Sequence, residues 1–187
     1  SPPEQRIGPA KITPPPGSFL QATQHGETSL IETVGNILKS ASPVLDLFSG
    51  CGTFSLPLAQ MAEIHAVEGE ADMLAALDKA WRKTQGLKKI SHEKRDLFRR
   101  PLLPDELNKF EAAVIDPPRA GAEAQVTMLA KSTIKTLAYV SCNPVSFARD
   151  AKILTDAGYS LEAVTPVDQF RWSYHVELVG AFHKAAA

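Results

Sequence analysis

Between Val44 and Asp156 the sequence alternates short apolar runs typical of strands with stretches of helical periodicity. The strand-type runs cover residues 44–48, 63–67, 88–92, 112–116 and 136–141, and the helix-type stretches between and after them cover 54–61, 71–84, 122–131 and 144–156. Strands that alternate with helices in this way form parallel sheets, because each helix carries the chain back to the start of the next strand. We therefore predict a doubly wound α/β domain.

The two ends of this pattern differ from its middle. An amphipathic helix is predicted over residues 27–38, where apolar side chains recur at helical spacing. After the last helix, residues 159–167 and 175–183 form two strand-like runs with no helix between them, so they should pair antiparallel. The prediction is a mostly parallel, seven-stranded sheet that ends in a C-terminal antiparallel hairpin.

Residues 1–18 are rich in proline, including three in a row from Pro14 to Pro16. Proline removes a hydrogen-bond donor and favours extended chain, so we predict an arm or linker that contributes nothing to the core. One catalytic domain is then expected over residues 19–187. The chain does not begin with methionine or with a signal-like segment, and we expect it to be a piece of a longer protein.

Composition narrows the function classes. No apolar run approaches the length of a membrane span, and the two cysteines, Cys51 and Cys142, are too few and too far apart for a disulfide framework or a metal site. We expect a cytoplasmic monomer with free thiols, no metal and no membrane contact. The formal net charge of −1 argues against nucleic-acid binding by overall charge, so RNA would need a local basic patch or another part of the protein.

A glycine-containing loop joins the first predicted strand to its helix. The string runs from Asp46 to Thr53, and Gly50 and Gly52 would let the backbone turn sharply close to a ligand. Glu68 ends the next strand, where an acidic side chain can accept hydrogen bonds from ribose hydroxyls. Because position 55 is serine, the G-x-G-x-x-G pattern of dinucleotide enzymes is absent. The glycine loop and Glu68 together favour an adenosine-containing ligand other than NAD. Asp96, which follows the third strand, is a possible adenine contact.

Two further strands end in residues that could bind a ligand or take part in catalysis. Asp116-Pro-Pro-Arg119 follows one of them, and Arg119 suits a phosphate or carboxylate. Ser141-Cys-Asn-Pro144 follows the next, with Asn143 suited to a helix N-cap and Pro144 to the first helical position. The helix dipole, with Arg119 or Arg149 as possible neighbours, would favour the Cys142 thiolate. A buried, inert cysteine is the structural alternative.

The DLFSGCGTF string resembles motif I of S-adenosylmethionine enzymes, and in a methyltransferase of this kind a thiolate suits methylation of uracil. C5 of uracil is a weak nucleophile, but addition of a thiolate at C6 creates an enolate that attacks at C5. A base must then remove the C5 proton. His175 and Glu177 lie on one face of the last predicted strand, and Glu177 stands among apolar residues, which favours it as the base.

Motifs across nearly the whole chain resemble the RNA 5-methyluridine methyltransferase family, which modifies tRNA or large-subunit rRNA. The matching strings, in order, are SFLQAT, DLFSGCGTF, DPPRAG, YVSCNPVSFARD and F-x-x-x-x-H-x-E. The resemblance implies a Rossmann-like class I fold, S-adenosylmethionine as cofactor with S-adenosylhomocysteine as product, and RNA as partner. It also implies RNA-binding modules before this domain and, in some members, an iron–sulfur cluster.

Residue roles follow from the same resemblance. Cys142 would be the nucleophile and Glu177 the base. The implied substrate contacts are Gln21, Asp116, Arg119 and His175. The implied cofactor contacts are Gln21, Asp46, Phe48, Gly50, Gly52, Thr53, Glu68, Asp96 and Asp116.

Some positions depart from the family pattern. Thr23 stands where the family usually has asparagine, which has a longer side chain. Residues 170–173 replace a usual F-P-H-T stretch, so the recognition of the nucleotide next to the target uridine is in doubt. Phe19, Phe170 and Trp172 are candidates to stack on a flipped base, or plain core residues. Basic residues between positions 79 and 100 either track phosphates or form a solvated surface: Lys79, Arg82, Lys83, Lys88, Lys89, Lys94, Arg95, Arg99 and Arg100.

Two other function classes stay open on sequence alone. One is a methyltransferase of another chemistry, although the cysteine pair of cytosine enzymes and the aromatic residue that amino methylators carry after the prolines are both missing. The other is a non-catalytic adapter that binds RNA or a nucleoside.

Overall fold

The computed structural model describes residues 4–17, 24–168 and 176–185. Its strands are β1 (Gln5–Ile7), β2 (Ala10–Ile12), β3 (Val44–Leu47), β4 (Ile64–Glu68), β5 (Ile90–Lys94), β6 (Ala112–Ile115), β7 (Thr136–Ser141), β8 (Tyr159–Asp168) and β9 (Val176–Lys184). Its helices are α1 (Gln24–Leu38), α2 (Ser55–Leu58), α3 (Ala71–Lys83), α4 (Pro104–Leu107), α5 (Glu123–Ala130) and α6 (Pro144–Asp156).

Seven of the strands form one sheet in the order β5-β4-β3-β6-β7-β9-β8. The first five are parallel to one another, whereas β9 pairs antiparallel with both β7 and β8. This confirms the predicted doubly wound α/β fold and its C-terminal antiparallel pair. The later strand of that pair, β9, lies inside the sheet, so residues near the end of the chain reach the neighbourhood of β7.

Two hydrophobic clusters cover the two faces of the sheet. One contains Leu30 and Val34 of α1 together with Leu77 of α3, and the other contains Val126 of α5 and Leu154 of α6. Helices on both faces bury the parallel strands, which explains why β3 and β6 are apolar along nearly their whole length. The carboxyl ends of the parallel strands therefore meet at one open edge, where folds of this kind bind ligands.

The proline-rich start of the chain is not a free arm, and the expectation that it has no core is wrong. Residues 5–12 form a hairpin in which β1 and β2 pair antiparallel around a two-residue turn, where Gly8 has φ +54°. Ile7, Ala10 and Ile12 are buried in the same cluster as α1 and α3. Their alternation with exposed Arg6 and Lys11 is the strand signal, which the surrounding prolines obscured.

Strand β5 begins two residues later than predicted, at Ile90 rather than at position 88. It is one of the two edge strands of the sheet, and Ile90 is its one buried residue, while Ser91 to Lys94 are partly or fully exposed. Polar residues on an edge strand weaken the apolar run that sequence analysis depends on. The short helix α4 also went unpredicted, because four residues give no helical period.

Candidate active site

A cleft of about 740 Å³ opens at the carboxyl edge of the sheet. The loops that follow β3, β4, β5, β6 and β7 form it, and Glu177 of β9 completes it. Its lining residues are Phe48, Ser49, Gly50, Cys51, Thr53, Glu68, Gly69, Glu70, Met73, Arg95, Asp96, Leu97, Phe98, Asp116, Pro117, Pro118, Arg119, Cys142 and Glu177. Most of the residues singled out from sequence therefore line one cleft of ligand-binding size.

The loop after β3 is tied to the end of β4 by a carboxylate. Glu68 Oε2 accepts a hydrogen bond from the Gly50 N–H at 2.9 Å, and Glu68 Oε1 accepts one from the Glu70 N–H at 3.0 Å. Gly50 has φ +54°, and no atom lies within 4 Å of the position that a Cβ would occupy there. The backbone at Gly50 is therefore open to a ligand, as the loop sequence predicted.

Two of the other predicted loop contacts, Asp46 and Gly52, lie beneath the loop, whereas Phe48 and Thr53 line the cleft. A Cβ at Gly52 would stand 2.4 Å from Leu77 Cδ1, so this glycine permits close packing of the loop on α3. Asp46 is fully buried and accepts a hydrogen bond from Ser55 Oγ at 2.6 Å, and burial raises its pKa to about 7. Asp46 and Gly52 thus support the loop from below, and their contact with the cofactor stays a prediction.

Apolar side chains that sequence analysis missed form part of the cleft wall. Phe98 lies 5.3 Å from Phe48, centroid to centroid, with the two rings tilted by 55°. Met73 of α3 lines the same cleft, and Phe48 has the unusual φ of +61° for a residue other than glycine. Phe98 remains 49% exposed, which is a large apolar surface to leave uncovered. Its exposure is a signal for ligand contact that only the three-dimensional structure provides.

Asp96 lines the cleft, but its carboxylate also organises the local turn. Its Oδ1 accepts hydrogen bonds from the N–H groups of Phe98 at 3.0 Å and Arg99 at 3.3 Å. These bonds hold Phe98 at the rim. Together, the Glu68 carboxylate, the open backbone at Gly50 and the Phe48–Phe98 wall suit a ligand with a ribose and an adenine ring.

Cys142 lies at the other end of the cleft, immediately before α6. Asn143 caps this helix as predicted, with its Oδ1 accepting a hydrogen bond from the Val145 N–H at 3.0 Å, and Pro144 is the first helical residue. Asn143 Nδ2 and Ser146 Oγ both donate to the backbone carbonyl of Arg119, at 2.9 and 3.0 Å. The start of α6 therefore holds both Cys142 and the Asp116–Arg119 loop in place.

The electrostatic surroundings of Cys142 differ from the expectation of a stabilised thiolate. Burial raises the pKa of its thiol above the ordinary value of 9.0, and the Glu177 and Asp116 carboxylates raise it further, while Arg119 lowers it. Arg149 does not act here, because its guanidinium pairs with Asp150 and Glu123. Of the two predicted cationic neighbours, Arg119 is correct and Arg149 is wrong.

Two carboxyl groups share the cleft with this thiol. Burial raises the pKa of Asp116 well above its ordinary value, and the charges of Glu177 and Asp46 raise it further. Burial also raises the pKa of Glu177, which strengthens it as a proton acceptor. A thiol, a basic carboxylate and a carboxyl group that favours its protonated form are the components of nucleophilic and acid–base chemistry.

A buried carboxylate holds the chain just after the Asp116–Arg119 loop, at Ala120 and Ala122, and no role for it was predicted from the sequence. Asp150 of α6 is fully buried, and its Oδ2 accepts hydrogen bonds from the Tyr139 hydroxyl and from the Ala122 N–H at 2.7 Å. Its Oδ1 accepts from Arg149, which also donates to the Ala120 carbonyl at 3.0 Å. Asp150 lies two turns beyond the N-cap on the inner face of α6, and that spacing was the available signal.

Several predicted contacts lie outside the described residues. These are Gln21, His175, Phe19, Thr23, Phe170 and Trp172. Their roles stay predictions.

Opposite changes in Cys142 reactivity test the electrostatics of the cleft. Glu177→Gln removes a negative charge that raises the thiol pKa, so alkylation of Cys142 by iodoacetamide at neutral pH should become several-fold faster. Arg119→Gln removes the opposing positive charge and should slow alkylation. The rate is measured against pH for each variant, with Cys142→Ser giving the background from Cys51, which is buried and has its pKa raised to about 11. Shifts of the same sign in both variants would contradict this assignment.

The fold and the cleft together define the class of this protein. Five parallel strands are extended by the antiparallel pair β9 and β8, and a glycine loop and an acidic strand end share one cleft. This is the class I methyltransferase architecture. The chain belongs to the tRNA (Uracil-5-)-methyltransferase family, whose model matches residues 13–185. The family resemblance seen in the motifs is thereby confirmed.

Individual relatives agree with this assignment. A protein from Mesorhizobium japonicum described as an uncharacterized RNA methyltransferase is 53% identical over 95% of this chain and 43% of its own length. The 23S rRNA (uracil(1939)-C(5))-methyltransferase RlmD of Shewanella halifaxensis is 37% identical over 92% of this chain and 39% of its own length. The chain thus spans less than half of the length of these relatives.

Solved structures give the same picture. The Pyrococcus abyssi tRNA (uracil-54, C5)-methyltransferase, in complex with S-adenosyl-L-homocysteine, has a TM-score of 0.82 and 25% identity over 96% of this chain and 43% of that one. A precorrin-6y C5,15-methyltransferase from Geobacter metallireducens shares the fold alone, with a TM-score of 0.70 and 12% identity over 93% of this chain and 94% of that one. None of the helices in residues 4–17, 24–168 and 176–185 combines the length and the apolar character of a transmembrane span.

Proposed function

We propose that this chain is the catalytic part of a cytoplasmic enzyme that methylates C5 of a uridine in RNA, with the β1–β2 hairpin packed onto the domain predicted over residues 19–187. The observation that carries the proposal is that Cys142, Glu177 and Asp116 line the same cleft as the Gly50 loop and Glu68. An adenosine-containing methyl donor and a pyrimidine would then meet between the two ends of the cleft. The solved tRNA relative was crystallised with S-adenosyl-L-homocysteine, which supports S-adenosylmethionine as the donor.

The chemistry follows from the residues present. Cys142 reacts as the thiolate, after its proton has passed to solvent: Sγ forms a bond to C6 of the uracil, and the electron pair of the C5–C6 double bond moves to form an enolate that is nucleophilic at C5. S-adenosylmethionine, when bound, would supply the methyl group to C5 as the bond from that methyl group to the positively charged sulfur breaks, which leaves S-adenosylhomocysteine. Glu177 then takes the proton from C5, the C5–C6 double bond forms again, and Cys142 leaves as the thiolate.

Asp116 and Arg119 would complete the substrate end of the cleft. With its raised pKa, Asp116 can donate a hydrogen bond to a uracil carbonyl, and the same bond would stabilise the enolate oxygen. Arg119 is exposed at the rim, where a phosphate of the RNA can reach it.

We propose ribosomal RNA as the substrate rather than tRNA. The support is that the relative named for 23S rRNA is 37% identical to this chain, whereas the structure named for tRNA is 25% identical. The two RNAs are direct alternatives in the experiment below.

Covalent trapping tests the proposed function. Protein is incubated with methyl-labelled S-adenosylmethionine and with rRNA or tRNA fragments in which 5-fluorouridine replaces uridine. Fluorine at C5 cannot be removed as a proton, so a labelled protein–RNA adduct that survives denaturation is expected, with more adduct on rRNA. Cys142→Ala should give no adduct, and the uridine form of the same RNA should give none that persists. An adduct that forms equally in the Cys142→Ala variant would contradict the mechanism.

A further inference from the structure

The basic residues between positions 79 and 100 do not form one surface. Arg82, Arg95 and Arg99 each pair with a neighbouring carboxylate, which neutralises much of their charge. Lys79 and Lys83, on α3, instead line a groove of about 450 Å³ between that helix and the β1–β2 hairpin. The groove is a local basic feature in a chain whose formal net charge is −1.

Four cationic side chains meet at this groove. Arg6 and Lys11 of the hairpin line it together with Lys79 and Lys83, and Glu4 is the acidic residue among its lining. Within residues 4–17, 24–168 and 176–185, none of the four cations forms an ion pair. The groove therefore concentrates positive charge that the described protein leaves unneutralised.

The spacing of these cations opposes folding rather than aiding it. Arg6 and Lys11 are direct cross-strand partners in the hairpin, and like charges placed opposite each other destabilise a strand pair. Lys79 and Lys83 are four residues apart on α3, where like charges also repel. Two separate repulsive pairs facing one groove are not explained by stability, and both would be relieved by a bound polyanion.

The groove and the active-site cleft lie along the same helix. Met73, near the start of α3, lines the cleft, whereas Lys79 and Lys83 lie six and ten residues further on, about 9 and 15 Å along the axis and away from the carboxyl edge of the sheet. We infer that this groove binds the phosphate backbone of the substrate RNA outside the cleft that receives the target uridine. The inference rests on the proposed function, because it takes RNA to be the polyanion that reaches the cleft.

Salt-dependent RNA binding tests the inference. The probe is an RNA hairpin with one uridine in its loop, and its affinity for the full chain is measured across a series of salt concentrations. Replacing Lys79 and Lys83 with glutamine should weaken binding several-fold at low salt. It should also reduce the slope of log affinity against log salt by about 1.4 to 1.8, as expected for two lost phosphate contacts. Affinity for S-adenosylmethionine should not change.

Lys131→Gln with Lys135→Gln is the matched control. These two lysines are also exposed, four residues apart and without ion pairs in the described chain, so the net charge changes equally. The control should keep most of the wild-type slope. Equal slopes and affinities in the two double variants would overturn the inference. The salt slope reports on the groove even when no methyl transfer occurs, so failure of the 5-fluorouridine trap counts against the proposed function alone.

Discussion

Replacing Glu177 with glutamine is expected to stop the reaction after methyl transfer and to leave the protein covalently bound to ordinary uridine RNA. Glutamine has nearly the same shape but cannot take the C5 proton, so Cys142 cannot be expelled. Loss of a positioned base typically costs about 10² to 10⁴ in rate, and turnover should fall by that factor. Formation of the adduct should not slow, because removing the Glu177 charge lowers the pKa of Cys142.

Denaturing gel electrophoresis with methyl-labelled cofactor measures this outcome. The adduct should carry the label, which shows that methylation came before the block. Glu162→Gln is the control, since Glu162 is exposed on the neighbouring strand β8 and outside the cleft lining, and it should turn over as the wild type does. A Glu177→Gln variant that loses turnover without any adduct would place Glu177 before methyl transfer rather than after it.

The part of the site that sequence could predict consists of residues fixed by local chain geometry. Asn143 and Pro144 follow from capping rules, and they place Cys142 at a helix start whatever the rest of the fold does. Glu177 stood out because a carboxylate interrupts an apolar strand. Parallel strands bring their carboxyl ends to one edge, so the convergence of these residues followed from the strand–helix alternation.

The part that sequence could not predict depends on neighbours distant along the chain. The pKa of Cys142 is raised by burial, by Glu177 of β9 and by Asp116 just after β6, and a helix-dipole argument leaves all three out. Gly50 and Gly52 look equivalent in sequence, yet one faces the cleft and the other faces Leu77. Arg149 seemed free to reach the thiolate, but a buried carboxylate beside it takes its guanidinium.

That buried carboxylate, Asp150, should be among the residues most sensitive to substitution. Asp150→Ala would leave the Tyr139 hydroxyl and the Ala122 N–H buried without an acceptor, and would remove the partner of Arg149. Unsatisfied buried polar groups and a broken buried charge contact together cost about 3 to 5 kcal/mol. We expect the free energy of unfolding, measured by urea titration, to fall by that amount.

Asp156→Ala separates this effect from ordinary loss of an acidic residue on α6. Asp156 is exposed and pairs with Lys152 one turn away, an arrangement worth at most about 0.5 kcal/mol, so its removal should barely change the unfolding midpoint.

Asp150→Asn retains an acceptor oxygen and should be intermediate in stability. Because Asp150 holds the backbone just after the loop that carries Asp116 and Arg119, the asparagine variant should also lose affinity for RNA while its Cys142 remains alkylatable. Equal stability of the Asp150→Ala and Asp156→Ala variants would show that the loop is held by its other contacts, through Asn143 and Ser146, and not by Asp150.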